Sequence, residues 1–152
     1  MHKPYWIRRA RPSGLDRILE IERASFGADA YDRKLFAEYL RQCGELFLEA
    51  GSGRKVWGYA LTCRSGASRN SAELVSLAVD PAMRGQGVAR ALMDSTLRRL
   101  KLRGVSRLVL TVKVTNERAR AFYEKYGFTK VRRVTRYYED GQDGWRMAKR
   151  LL

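Results

Sequence analysis

Histidine occurs once in this sequence, cysteine twice and proline three times, in a chain of 152 residues. Each scarcity excludes something. The lone His2 near the amino terminus leaves no histidine-based catalytic triad and no histidine zinc site. Cys43 and Cys63 stand far apart, with neither Cys nor His beside them at metal-ligand spacing. They are expected as free thiols buried as small hydrophobes, rather than as a disulfide or a ligand pair. No apolar run reaches the length of a membrane span, and the charged amino terminus is followed by no apolar signal segment. A soluble, cytoplasmic protein is expected. Without repeat, linker or low-complexity tract, 1–152 reads as a single domain large enough for its own core.

Acidic residues are also scarce, 16 Asp+Glu against 31 Lys+Arg, for a formal charge of +15. Such a balance favours anionic partners: phosphorylated ligands, acidic peptides, or a nucleic-acid-rich surface such as the ribosome. A merely solvated surface with weak non-specific RNA affinity is the alternative, and no specific DNA binding is expected.

What the sequence has is a stretch built like a phosphate cradle. Residues 74–79 form an apolar run of strand length, ended by Asp80-Pro81. From Ala89 the apolar positions 89, 92, 93, 96, 97 and 100 make a helical stripe, with Arg90, Asp94, Arg98 and Lys101 on the polar face. Between them, Gly85 and Gly87 let backbone approach a ligand, and the free N–H groups of the first helical turn suit an anion. Arg84 adds a full charge.

The remaining elements follow in order. Residues 5–10 read as a strand, broken by Pro12-Ser13-Gly14. Ser13 is a candidate cap for a helix carrying Leu15, Ile18, Leu19 and Glu22. A loop at 27–30 leads to a second helix with Leu35, Phe36, Tyr39 and Leu40 as its stripe. Strands 45–50 and 55–63 flank a glycine-bearing hairpin turn at 51–54, and the polar segment 64–70 is expected to be mobile. After the cradle helix come a strand at 107–114, a helix at 116–126 capped by Thr115 or Asn116, and strands 128–138 and 144–149 across a polar turn. The order β-α-α-β-β-β-α-β-α-β-β, with hairpins and two strand–helix–strand units, predicts a mixed α/β sheet flanked by helices.

The segment Arg84-Gly85-Gln86-Gly87-Val88-Ala89 resembles the R/Q-x-x-G-x-G/A signature of the GNAT superfamily of acyl-CoA N-acyltransferases. Asn116-Glu117-Arg118-Ala119, continuing through Tyr123 to Gly127-Phe128, resembles its N-x-x-A-x-x-x-Y-x-x-x-G-F motif, and the element order is similar over essentially the whole chain. Within that superfamily, Arg136-Tyr137-Tyr138-Glu139-Asp140-Gly141-Gln142-Asp143 and the following Gly144 to Met147 look like the Y-Y-x-D-G-x-D-A-x-x-M tail of protein N-terminal acetyltransferases, including ribosomal-protein alanine acetyltransferases. Ile21-Glu22-Arg23-Ala24-Ser25-Phe26 resembles their I-E-x-x-S-F segment. The 27–32 loop departs from the Pro-Trp version common in the bacterial enzymes.

The resemblance implies acetyl-CoA as cosubstrate and a bulged central strand. Backbone groups at Leu77, Ala78 and Val79 would bind the pantetheine arm, with the Val79 N–H on the thioester carbonyl. Arg84, Gly85, Gln86, Gly87, Val88, Ala89 and Arg90 would take the pyrophosphate, and Asn116 and Tyr123 the pantetheine side, although Asn116 also reads as a plain helix cap. Glu73 matches a central-strand glutamate base, with partial desolvation by Leu74 and Leu77 to poise it. Tyr123 matches the general acid. Phe26, Tyr31, Glu73, Tyr137 and Tyr138 would line the acceptor pocket, strand alternation placing one of the two tail tyrosines away from it.

One position departs. The alanine acetyltransferases carry a glutamate base on the next strand where this sequence has Thr111, which takes no proton at neutral pH. That departure bears on the acceptor. A peptide α-amine of pKa near 7.8 is roughly 10 to 15% neutral at pH 7, while a lysine near 10.4 is below about 0.1%. Acetyl transfer to a protein or peptide amino terminus is therefore expected. A lysine or small-molecule acetyltransferase is the enzymatic alternative, and a non-catalytic CoA- or RNA-binding module the alternative from another class.

Overall fold

The computed structural model describes residues 5–65, 68 and 70–151. His2 and part of the 64–70 segment lie outside the described residues. The elements are β1 (Trp6–Arg9), α1 (Leu15–Phe26), α2 (Arg33–Gln42), β2 (Phe47–Ser52), β3 (Lys55–Arg64), β4 (Ser71–Val79), α3 (Val88–Leu102), β5 (Arg107–Lys113), α4 (Glu117–Lys125), β6 (Thr129–Val134) and β7 (Gly144–Arg150). This is the predicted order.

The strands form one seven-stranded sheet in the order β1-β2-β3-β4-β5-β7-β6, in which only β4 and β5 pair in parallel. Two strand–helix–strand units were expected to yield parallel neighbours, and one does. β7 inserts between β5 and β6, so these two run the same way without touching.

Alternation sorts the apolar side chains onto two faces. Leu74, Leu108, Leu110 and Val112 pack with Leu92, Met93, Leu97 and Leu100 of α3 and with Phe122 and Tyr123 of α4. On the other face Phe47, Tyr59, Leu61 and Ala78 pack with Ile18, Leu19 and Ile21 of α1 and Phe36 of α2. Each fully buried Leu, Ile or Phe contributes about 1.5–3 kcal/mol. The helices α1 and α2 pack on β3 and β4, not on the β5-β7-β6 side of that face.

The central strand is bulged where the sheet parts. Leu61 pairs with Ser76 and Thr62 with Leu74, which leaves Val75 as an extra residue. The slip reverses the phase of β4: Ala72 and Leu74 face α3 before it, Leu77 and Val79 after it. Val75, Ser76 and Ala78 therefore face α1. Pairing with β5 covers only Ser71–Glu73 against Arg107–Val109, so beyond Glu73 the two strands separate.

Three local expectations change. Ser13 caps nothing: Pro12–Gly14 forms a 3-10 turn, and Gly14 precedes α1 without a side-chain cap bond. β6 stops at Val134, short of 138, because Arg136 takes a positive φ of 51°. Its N–H is held by Asp143 Oδ1 at 2.9 Å, while Asp143 Oδ2 accepts from Arg133 at 2.6 Å. Cys43 and Cys63 are joined in a disulfide, not free. The reason is tertiary: Cys43 ends α2 where it packs beside β3, and the two Cα atoms lie 5.2 Å apart, inside bridging range.

Replacing both cysteines by serine, or reducing the bond, is expected to lower unfolding free energy by about 3 kcal/mol, the chain-entropy value for a loop of this length. Urea unfolding with and without reductant measures it, and an unchanged midpoint would count against the bond.

Candidate active site

The turn after β4 is shaped from the backbone outward. Asp80 accepts from Ala82 N at 3.0 Å and ion-pairs with Arg17 of α1, which ties the turn to the helix layer. Gly85 and Gly87 have φ of 81° and 80°, a left-handed geometry that side chains other than glycine resist. A Cβ on Gly85 would meet no atom within 4 Å, so space lies open above it. Gly87 begins α3 without a side-chain cap, leaving first-turn N–H groups directed outward with the positive end of the helix dipole.

From this turn a cavity of about 810 Å³ runs through the gap between β4 and β5 to the α1 face. Asp80 N donates to Trp57 O of β3 at 2.7 Å, so alternation turns the amide groups of Val79 and Leu77 away from β3 and into the gap. Asn116 borders the cavity and accepts from Ala119 N at 3.2 Å, so the cap role is real. Tyr123 packs edge-on against Phe128 and Phe122, and burial pushes its phenol well above the usual value. Its hydroxyl has no hydrogen-bond partner among the described residues.

On the far side the cavity is walled by Phe26, Tyr31, Tyr39, Tyr137 and Tyr138. Tyr137 and Tyr138 sit in the turn beyond β6, stacked edge-on at 5.0 Å, so strand alternation does not apply and both reach the cavity. Burial, then the neighbouring Tyr137, raises the phenols of Tyr31 and Tyr138, while Tyr39 is raised by burial and then by Glu73.

Three carboxylates line the cavity, and each is engaged. Glu22, 1% exposed, accepts from Tyr59 Oη, from Ser76 Oγ at 2.8 Å and from Tyr31 N at 3.0 Å. Asp29 binds Lys113 Nζ at 2.7 Å, and the same ammonium reaches Asp140 at 2.8 Å, clasping the 27–32 loop to the β6–β7 turn. Those bonds hold Lys113 above and Asp140 below their ordinary ranges. Glu73 Oε2 takes Arg146 Nη1 at 2.8 Å, and that nitrogen also donates to Thr111 Oγ1 at 3.0 Å. The Glu73 side chain is 42% exposed, so it is a partly buried carboxylate that solvent can still reach, held in an ion pair.

Residues 15–128 match the acetyltransferase (GNAT) family. The chain belongs to the GNAT family of acetyltransferases. It is 30% identical to an N-alpha-acetyltransferase of Saccharolobus solfataricus over 98% of this chain and 95% of that one. It is 28% identical to a putative [ribosomal protein bS18]-alanine N-acetyltransferase of Bacillus subtilis, covering 90% and 89% of the two chains. The structure of Ard1 from Thermoplasma volcanium superposes with a TM-score of 0.92 at 28% identity, over 97% of this chain and 98% of that one.

Acetyl-CoA is the cosubstrate of this family, and the residues present fit it: an open left-handed turn flanked by Arg84 and Arg90 suits a pyrophosphate, and the strand gap suits an extended arm. Every anticipated site residue borders the one cavity except Gln86. Glu22, Asp29, Tyr39, Ser76 and Lys113 were not anticipated as site residues. Glu22 carried a signal, a carboxylate on the apolar stripe of α1, whereas the Lys113 clasp depends on loops that sequence spacing does not bring together.

Changing Glu22 to Gln leaves one of three buried donors facing an amide N–H₂. A stability loss of about 1–3 kcal/mol is expected in urea unfolding, with a raised acceptor KM because Tyr31 N loses its anchor. Unchanged values of both would show the carboxylate to be dispensable.

Proposed function

We propose that this chain transfers the acetyl group of acetyl-CoA to the α-amine of a protein or peptide, acting as one catalytic domain spanning 1–152. The supporting observation is that all three cavity carboxylates are already bonded, to Lys113, to Arg146 and to the Tyr59–Ser76–Tyr31 donors. A site whose solvent-reachable carboxylate, Glu73, is already shared with Arg146 is better placed to take up a proton after attack than to strip one from a charged amine. That suits an acceptor that arrives substantially neutral, as an α-amine does and a lysine does not. The relatives named for N-alpha and bS18-alanine acetylation point the same way.

Acetyl-CoA, when bound, supplies a thioester-activated acetyl group. Arg84, Gly85, Gly87 and the first-turn amides 88–90 hold its phosphates, and Asn116 its pantetheine side. The Leu77 and Val79 backbone groups line the gap, and the Val79 N–H meets negative charge developing on the carbonyl oxygen. Phe26, Tyr31, Tyr137 and Tyr138 position the amino terminus. Glu73, exposed enough to be reached through water, collects the proton the amine sheds. Tyr123 holds a proton on its phenol and delivers it to the departing sulfur. A cytoplasmic setting belongs to the same proposal. The Cys43–Cys63 bond fits it where intracellular disulfides persist, as in hyperthermophiles.

Pooled peptides with free amino termini and internal lysines, incubated with the protein and acetyl-CoA and mapped by mass spectrometry, are expected to gain acetyl groups at their α-amines. Lysine-only modification would overturn the α-amine reading.

Tyr123→Phe is expected to lower kcat about 10²-fold or more, the usual worth of a positioned acid. In the unaltered protein kcat/KM should climb tenfold per pH unit until the amine titrates near about 7.8, then stay level to about pH 10. The sign follows from the raised phenol, which keeps its proton beyond the ordinary tyrosine range. A fall setting in below about pH 9 would remove Tyr123 as the acid.

A further inference from the structure

A second cavity, of about 530 Å³, adjoins the first and shares Tyr39, Glu73 and Val75 with it. It extends over the part of the sheet that α1 and α2 leave uncovered. Its charged lining includes Arg107, Arg132 and Arg146, with Glu73 as the one carboxylate, which Arg146 already occupies. Arg107 and Arg132 make no ion pair among the described residues.

The strand register sharpens the point. Arg107 of β5 lies directly opposite Arg150 of β7, and Arg132 of β6 opposite Arg146 of β7. Like charges facing each other across a ladder destabilise a sheet until an anion separates them. The second pair is answered by Glu73 through Arg146, whereas the Arg107 pair, four residues along β7, has no carboxylate beside it in the cavity lining.

Resting on the α-amine reading, we propose that this arginine groove selects acceptors whose second to fourth residues carry aspartate or glutamate. Val109 stands in register with Glu73, and Arg107 lies two residues further along β5, about 7 Å at strand rise. An extended peptide with its amine beside Glu73 covers that distance within its next few residues. Carboxylates there match guanidinium forks in charge and shape. The groove is a walled hollow of side-chain dimensions opening from the acceptor pocket, which suits a peptide better than the broad face of a nucleic acid.

The test compares acceptor peptides identical except at residues two to four, which are Asp/Glu in one and Asn/Gln in the other. The acidic peptide is expected to show kcat/KM about tenfold higher at low salt, the advantage shrinking as salt rises. In Arg107→Glu/Arg132→Glu the ratio should fall to one or invert, with circular dichroism confirming the fold. Fluorescence anisotropy of the same labelled peptides reads the groove independently of turnover. α-Acetylation of both peptides at equal rates with equal binding would overturn this proposal while leaving the α-amine reading intact. Acidic-selective binding without α-acetylation would sustain the groove and overturn that reading instead. Equal peptide binding together with steeply salt-dependent RNA retention, lost in the double variant, would assign the groove to nucleic acid and also overturn the proposal.

Discussion

The separation of β4 from β5 is the constraint on which the rest of the site depends. An unbroken parallel pair would spend the Leu77 and Val79 amides on the neighbouring strand, and the sheet would be a closed wall between its two helical layers. The extra residue Val75 bends β4 and reverses its phase, and pairing ends at Glu73. Backbone donors are thereby left facing a gap, and a cavity entered at the α3 turn emerges among the tyrosines beside α1. β7 stabilises the arrangement by pairing with β5 along its whole length, from Arg107 to Lys113, so the strand that loses β4 does not become a loose edge.

Bulge and carboxylate are coupled. The phase change turns Ser76 toward α1, where its hydroxyl donates to Glu22, and the other Glu22 oxygen holds the N–H of Tyr31. One buried side chain therefore ties the central strand to the loop that walls the acceptor pocket. Lys113 does the same from β5, holding that loop and the β6–β7 turn through Asp29 and Asp140. The two loops flanking the pocket are thus positioned by charged and hydrogen-bonded groups in addition to the packing of Phe26 and Tyr31 on the core.

The cradle, the element order and about half of the cavity wall were legible in the sequence, because glycine placement, helical periodicity and strand length are local signals. What escaped was decided by partners distant in the chain. The Cys43–Cys63 bond needs α2 laid along β3, and spacing alone does not show that. The insertion of β7 between β5 and β6 is a choice of edge that the hairpin pattern leaves open. Tyr137 and Tyr138 escaped strand alternation because Asp143 pins Arg136 in a left-handed turn. The neighbours of Glu73 indicate a partly desolvated carboxylate, but its ion pair with Arg146, 73 residues away, is not visible in the spacing.

Thr111 and Arg146 fit one account of the amine. Across β5 and β7 they stand directly opposite, and Thr111 Oγ1 accepts from the Arg146 guanidinium at 3.0 Å. Arg146 is itself answered by Glu73 at 2.8 Å, so the pair leaves no net charge beside the amine, and the proton balance rests on the acceptor's own basicity. A lysine starts roughly three decades from neutrality at pH 7, an α-amine within about one decade. On the proposed function, a carboxylate shared with a guanidinium is therefore enough for the second acceptor and not for the first, while Arg107 and Arg132, which no carboxylate answers among the described residues, leave a positive surround further along the acceptor.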